Sequence, residues 1–258
     1  MITNSLFNLE GKSAIITGGS SGIGEACAQV LAEFGASIII IGRDKEKLQK
    51  VKQNISSNYE VVIEALDVND TKELKSFFLA NPRDILVNSV GTTTLNSILD
   101  ISEDEYIRVM DTNVKSAFFQ TKYFIQAKKN KIDSNKNIQH NGTSIIHISS
   151  QMGLVGGFDR SVYCTSKHAL EGLCKAVAIE IGAWNMRINT ICPTFIETPL
   201  TRKTLQDPEK YNKILNNIVL GRIGQTDDIK GAVVYLASDA SSLVTGSAVK
   251  VDGGWSAH

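Results

Sequence analysis

Short apolar runs alternate along the chain with longer stretches in which apolar positions recur three and four residues apart. The runs fall at residues 12–17 (KSAIIT), 37–42 (SIIIIG), 60–66, 84–88 (DILVN), 145–148 (IIHI), 186–192 and 248–251 (AVKV). They are rich in β-branched residues, and several are apolar at consecutive positions, as strands covered on both faces must be. The helical period appears in EACAQVLAEFG, closing on Gly35, and at residues 45–54, 71–79 and 102–127. It returns in YCTSKHALEGLCKAVAIEIG from Tyr163 and in DDIKGAVVYLAS from Asp227. Strand and helix in strict alternation predict an α/β fold, a doubly wound sheet of seven mostly parallel strands with helices on both faces. The whole of 1–258 is expected to form a single domain, with its ligand crevice at the C-terminal ends of the strands.

Local signals refine the joints. Ser102 followed by Glu105 is a capping box that opens the 102–127 helix, and Asp44 and Asp227 are expected to cap the helices that follow them. Asn113 lies mid-helix among Val109, Met110, Val114 and Phe118, so a poor helix former sits where a buried polar role is expected. Residues 128–141 (KKNKIDSNKNIQHN) lose all periodicity and read as a solvated surface loop. Residues 201–220 are polar and helix-prone without a strong stripe, the composition of a lid over the crevice.

Composition narrows the ligand. With 27 basic and 27 acidic residues the formal net charge is zero, which argues against nucleic acid or an anionic membrane as partner and for a small polar or neutral molecule. Cys27, Cys164, Cys174 and Cys192 lack metal-ligand spacing; they are expected to be buried small hydrophobes in a reducing compartment, with no metal bound. The N-terminus lacks a basic region followed by a long apolar run, and no stretch reaches membrane-spanning length, so a cytoplasmic location is predicted.

Candidate chemistry concentrates in two stretches. Gly18, Gly22 and Gly24 lie between the first strand and the first helix, where absent side chains permit a tight turn and let a pyrophosphate approach the helix N-terminus. The second strand ends at Gly42-Arg43 without the carboxylate that would bond a free ribose 2′-hydroxyl. Arg43 suits a 2′-phosphate, which favours NADP(H) over NAD(H), unless it merely points into solvent. Asp67 and the segment Asn88 to Gly91 also fall at strand ends; Asp67 serves either the ligand or the next helix, and Asn88 either the ligand or a tie between strands. In the second stretch Ser149-Ser150 ends the fifth strand, a loop follows, and Tyr163 and Lys167 share a helix face four residues apart. A cation one turn away is expected to lower the phenol pKa from its ordinary value near 10, fitting Tyr163 to exchange a proton with a substrate oxygen that Ser150 holds.

Taken together, TGGSSGIG (17–24), Asp67, NSVG (88–91), Asn113, Ser150, YCTSK (163–167), Pro193 with Thr198, and the terminal VDGG (251–254) resemble the short-chain dehydrogenase/reductase family over essentially the whole length. The resemblance implies a Rossmann-type fold, with a cofactor-binding half at about 12–120 and a catalytic half at about 121–258. It also implies a catalytic tetrad of Asn113, Ser150, Tyr163 and Lys167, Ser150 being preferred to Ser149 because it lies thirteen residues before Tyr163. By the same resemblance Gly18, Ser20, Ser21, Ile23 and Arg43 would hold the adenosine phosphates, and Asp67 and Val68 would flank adenine. Gly22, Gly24, Asn88, Gly91 and Pro193 join the cofactor set. Lys167 would reach the nicotinamide ribose, Thr198 the carboxamide with Ile196 beside it, and Asn113 a water relaying protons toward Lys167. Two departures stand out: Asn88-Ser89-Val90-Gly91 for the usual Asn-Asn-Ala-Gly, and Pro193-Thr194 for Pro-Gly, both placing larger residues near the cofactor.

The function expected is NADP(H)-dependent hydride transfer to a ketone or from a secondary alcohol. Pocket residues are expected at 92–95, 151–158 and 195–211, a lining with little fixed charge. Two alternatives compete: a 3-oxoacyl-(acyl-carrier-protein) reductase, whose partner needs a basic surface for which Lys128, Lys129 and Lys131 are the candidates, and an NAD-linked sugar or alcohol dehydrogenase. A non-catalytic nucleotide-binding protein would be expected to have lost a tetrad residue, and all four are present. The apolar residues Ala117, Phe118, Phe119 and Tyr123, with the helix from Tyr163, exceed what one sheet face needs, so a homo-oligomer, dimer or tetramer, is expected.

Overall fold

The computed structural model describes residues 6–56, 58–134 and 142–257. Seven strands form one sheet: β1 (Ser13–Thr17), β2 (Ser37–Gly42), β3 (Val61–Ala65), β4 (Ile85–Asn88), β5 (Thr143–Ile148), β6 (Met186–Pro193) and β7 (Ala248–Val251). Their order is β3-β2-β1-β4-β5-β6-β7, and every pair is parallel. The order reverses between β1 and β4, so the connections from these two strands leave on opposite faces and a crevice opens above their C-terminal ends. Consecutive isoleucines in β2 and the fully buried β4 and β5 are possible because helices cover both faces.

On one face lie α1 (Gly22–Glu33), α2 (Lys45–Asn54) and, late in the chain, α9 (Asp227–Ala237), packed around Ile16, Ile38, Ile40, Leu31 and Val233. On the other lie α3 (Thr71–Ala80), α4 (Glu103–Met110), α5 (Ser116–Ser134) and α6 (Ser161–Ile181), packed around Ile15, Ile39, Phe78, Phe124 and Ile188. Two short helices, α7 (Arg202–Leu205) and α8 (Pro208–Leu215), occupy the segment expected to be a lid. They rest on a small separate cluster of Ile214, Ile218 and Ile223 with Phe195, Leu205 and Trp255.

The 102–127 helix differs from expectation. Its capping box at Ser102 and Glu105 is formed, but Asp111–Lys115 is a π turn with Asn113 at its centre. Beyond it α5 runs on through Ser134, so residues 128–134 are helix and not loop; 135–141 lie outside the described residues. The extension is held by a pairing that periodicity does not reveal. Lys128 bonds Asp84 at 2.6 Å, both side chains largely buried, while Asp84 also accepts from the backbone N–H and hydroxyl of Ser13 at 2.9 and 2.8 Å. Burial pushes the Asp84 carboxyl up, but the Lys128 and Ser13 bonds outweigh it and leave its pKa below the ordinary value. Asp227 is the first residue of α9, not its cap; Thr226 takes that position. Cys27, Cys174 and Cys192 are buried as expected, Cys164 only partly, and all four are free. Among the described residues no helix is long and apolar enough to cross a membrane.

Two neighbouring lysines on α5 allow a direct test. Lys129 forms an exposed bond one turn along to Asp133 at 2.6 Å, the kind of pair worth only a few tenths of a kcal/mol. Lys128→Ala should cost about 2 kcal/mol by leaving a part-buried carboxylate with only its Ser13 bonds, whereas Lys129→Ala should stay within about 0.5 kcal/mol of wild type. Denaturant unfolding of both variants checks this; equal losses would show that the Asp84 pair does not anchor the helix.

Candidate active site

Two cavities meet at the C-terminal edge of the sheet. The first, about 470 Å³, is bounded by the β1–α1 turn, the ends of β2, β3 and β4, and the start of α6. Its walls include Gly18, Ser20, Ser21, Gly22 and Ile23, then Arg43, Asp67, Val68, Gly91 and Thr198, with Tyr163 and Lys167 at one end. The turn is built by close approach. A side chain on Gly18, at φ +71°, would stand 2.9 Å from the backbone of Ser89, and one on Gly24 would collide with the carbonyl of Gly18. Ser21 is the N-cap of α1 but its side chain bonds no backbone amide, so first-turn N–H groups remain to receive an anion. A dinucleotide fits this cradle: glycines for its pyrophosphate, the ends of β2 and β3 for its adenosine, and Tyr163 and Lys167 at the far end.

Four residues expected in the cofactor set do not line this cavity. Gly24 lies behind the turn, and Asn88 is buried with its Oδ1 accepting from the Thr17 hydroxyl at 3.4 Å and Val90 N–H at 3.3 Å, the tie between strands. Pro193 ends β6, and Ile196 is buried and bridged to Gly224. Asp67 lines the cavity while its carboxylate accepts from the Asn69 N–H, and Asp70, not Asp67, caps α3.

The second cavity, about 450 Å³, lies on the other side of the phenol. Ser150, Gln151 and Met152 from the β5–α6 connection, Thr194 and Phe195 after β6, and Lys203, Asp207 and Lys210 from the α7–α8 segment surround it. Tyr163 lines both cavities, and Leu200 does so beside it.

The side chains around the phenol are held from three directions. Lys167, 3% exposed, donates to the carbonyl of Ile148 at 3.0 Å, its Nζ 5.7 Å from the Tyr163 ring centroid. Asn113 spends its amide on protein partners: Oδ1 accepts from Thr92 N–H at 2.8 Å, and Nδ2 donates to the Thr92 carbonyl and the Ser166 hydroxyl, both at 2.9 Å. The π turn thereby locks the Gly91-Thr92 loop against α6. Ser150 donates to Gln151 Oε1 at 3.0 Å and accepts from Met152 N–H.

Electrostatics correct one expectation. The Tyr163 phenol is not lowered: burial pushes it above the ordinary value, against smaller opposing effects from the Ser150 hydroxyl and the Arg160 guanidinium. Burial also pushes Lys167 down to about 8, partly offset by Cys192 and Glu171. Beneath it His147 is held down at about 4 by burial and the Lys167 charge, so it stays neutral. Arg160 is the residue sequence reading missed. Its Cζ stands 5.9 Å from the Tyr163 ring centroid and 5.7 Å from that of Phe195. The signal was there, an arginine three positions before the tyrosine at a helix start, where side chains become neighbours. With Lys203, Lys210 and Asp207 it also overturns the expectation of little fixed charge in the second cavity.

The family model described as enoyl-(acyl carrier protein) reductase matches residues 18–256. The chain belongs to the short-chain dehydrogenase/reductase family. Membership makes it an NAD(P)-dependent oxidoreductase acting on CH–OH groups. It is 33% identical to the 3-oxoacyl-[acyl-carrier-protein] reductase of Rickettsia conorii, over 96% of this chain and 98% of that one. Among solved structures it resembles one from Agrobacterium tumefaciens, provisionally named 2-deoxy-D-gluconate 3-dehydrogenase, with bound NADP: TM-score 0.87, 32% identity, 99% of this chain and 100% of that one. It also resembles one from Beutenbergia cavernae, provisionally named NAD(P)-dependent gluconate 5-dehydrogenase and likewise holding NADP: TM-score 0.88, 29% identity, 98% and 99% covered.

The assignment of Arg160 as the cation that favours the phenolate is measurable without turnover. Arg160→Gln should move the Tyr163 titration to higher pH, followed by NMR of protein labelled at the tyrosine ring carbon. An unmoved titration would remove Arg160 from the electrostatics of the phenol.

Proposed function

We propose that the protein is an NADP(H)-dependent oxidoreductase that interconverts a ketone and a secondary alcohol, with Tyr163 as general acid and base. The observation that carries this is the position of the Tyr163 phenol, on the wall shared by the cofactor-sized cleft and the second cavity. Bound nicotinamide supplies or accepts the hydride. In the reducing direction Tyr163 donates its proton to the carbonyl oxygen, and the raised phenol pKa keeps that proton in place at neutral pH. Ser150 turns its hydroxyl from Gln151 to the same oxygen. Lys167 fixes the floor of the site through Ile148, and Asn113 fixes the Gly91-Thr92 loop. Gly18, Ser20, Ser21, Gly22 and Ile23 are assigned to the phosphates and Thr198 to the carboxamide, with Asp67 and Val68 beside adenine.

Arg43 supports NADP(H) over NAD(H). It is exposed on the rim of the cleft, while Asp44, the nearest carboxylate in sequence, is engaged by the amides of Glu46 and Lys47 at the start of α2. The acyl-carrier alternative draws on the Rickettsia relative; of the three lysines expected to form its basic surface, Lys128 is buried against Asp84 and Lys129 is paired with Asp133, which leaves the exposed Lys131. Phe118 on α5 and Ile179 on α6 are exposed apolar residues that suit a homo-oligomeric contact.

Tyr163→Phe should reduce NADPH-dependent ketone reduction by at least ~10²-fold while leaving NADPH binding, followed by fluorescence, close to wild type; retained turnover would refute the mechanism. Arg43→Ala should weaken NADPH binding at least tenfold and NADH binding little, and equal losses would remove the reason for naming NADP.

A further inference from the structure

Arg160 is placed to bind something that the chain itself does not supply. Among the described residues its one hydrogen-bond partner is the Thr93 hydroxyl, at 3.0 Å from Nη1, and no carboxylate lies within ion-pair distance. A guanidinium carries five N–H donors in a planar fork, so most of its donor capacity is unspent. Its other neighbours are the rings of Tyr163 and Phe195, with centroids 5.9 and 5.7 Å from Cζ, and these offer no hydrogen-bond acceptor in the plane of the fork. The surrounding cavity is cationic: Arg160, Lys203 and Lys210 face a single carboxylate, Asp207. Asp207 is itself engaged, pairing with Lys210 at 3.5 Å and capping α8 through the amides of Glu209 and Lys210. Arg160 is half-buried, and the carboxylate next to it in the chain, Asp159, acts on it without forming an ion pair, so a ligand carboxylate would supply the directly bonded counter-ion that the chain does not.

Resting on the oxidoreductase reading above, we infer that the physiological substrate is an oxo acid or hydroxy acid whose carboxylate docks on Arg160 while its carbonyl or carbinol carbon meets Tyr163. The planar fork matches a carboxylate with two parallel bonds, which a lysine does not reproduce. The short reach from Arg160 to the phenol ring, 5.9 Å, makes the substrate compact, with few bonds between carboxylate and reacting carbon. A cavity of about 450 Å³ suits a small acid. The carboxylate is unchanged by the reaction. The carbonyl carbon gains the hydride that reduced nicotinamide supplies, the oxygen gains the proton of Tyr163, and the hydroxy acid leaves with oxidised nicotinamide as co-product. Lys203 provides a second positive charge at the same cavity.

The test compares acids with matched neutral molecules. The kcat/KM values for D-gluconate against D-glucitol in the oxidising direction, and for 4-oxopentanoate against its methyl ester in the reducing direction, are measured in wild type, Arg160→Gln and Arg160→Lys. The acid should be preferred in wild type, and Arg160→Gln should shrink the acid-over-neutral ratio on the order of 10- to 100-fold, mainly through KM. Arg160→Lys should keep part of the ratio. A neutral preference in wild type, or a ratio that Arg160→Gln does not change, would overturn the inference. Calorimetry of D-gluconate and of 4-oxopentanoate with the NADP⁺-loaded protein separates this from failure of the oxidoreductase reading. If no substrate turns over but either acid binds wild type and not Arg160→Gln, the anchor stands without the chemistry. If neither acid binds wild type, the anchor falls. NADPH fluorescence confirms that each variant is folded.

Discussion

A buried ammonium must be bonded where it lies, and the contact between Lys167 Nζ and the Ile148 carbonyl, 3.0 Å, is the one on which the site depends. It joins the last residue of β5 to the first half of α6. Ser150 follows two residues beyond that carbonyl, and Tyr163 precedes the lysine by one turn, so a single bond brings hydroxyl and phenol to the same place. The parallel sheet supplies the rest of the geometry. All seven strands point one way, so every βα connection that carries a polar group opens on the same edge. Among these, β1 contributes the glycine turn and β4 the loop that Asn113 secures.

The phenol therefore stands between two cations of different character. Lys167 is pushed down to about 8 and sits near its own titration, so its charge responds to what binds next to it. Arg160 keeps its proton across the whole working range. Burial nevertheless outweighs the Ser150 hydrogen bond and the attraction of Arg160 for a phenolate, and the tyrosine rests as an acid. That state suits reduction of a carbonyl. In the mechanism proposed for Tyr163, the opposite direction would require the phenol first to lose its proton, so oxidation would gain and reduction lose as pH rises through the phenol pKa.

The sheet was legible because a parallel strand buried on both faces has a composition that little else shares, as in the isoleucines of β2 and the run Ile145–Ile148 in β5. The glycine turn and the Tyr163–Lys167 pair were legible because each depends on spacing along a single element. The π turn at Asn113 was not, because one extra residue in a helix alters the hydrogen-bond ladder without altering which residues are apolar. The helical state of residues 128–134 was hidden for a related reason. Its stability comes from Lys128 reaching Asp84, 44 positions earlier, and no local period records such a pair. The direction of the phenol pKa was misjudged because sequence shows which charges are near but not how much water is excluded, and here the exclusion of water is the larger effect.

The two cavities are built from different materials, and this separates what is general in the site from what is particular. The cofactor side is shaped by backbone: Gly18 lies against the main chain of Ser89, Gly24 against Gly18, and helix α1 presents amides. Of the two residues there that depart from the family pattern, Ser89 is smaller than the usual asparagine and Val90 larger than the usual alanine; both line the cleft, and neither brings a charge to it. The other cavity is shaped by side chains: Arg160, Met152, Phe195, Lys203 and Thr194. Thr194 stands where the family has glycine, and its buried hydroxyl finds no partner among the described residues. An unpartnered hydroxyl and a guanidinium with unspent donors on one cavity are two independent costs to folding. A substrate rich in acceptors relieves both at once, and an apolar ketone relieves neither. Under the proposed function, discrimination between substrates would reside on this side of Tyr163, where each donor left unmet penalises the wrong ligand.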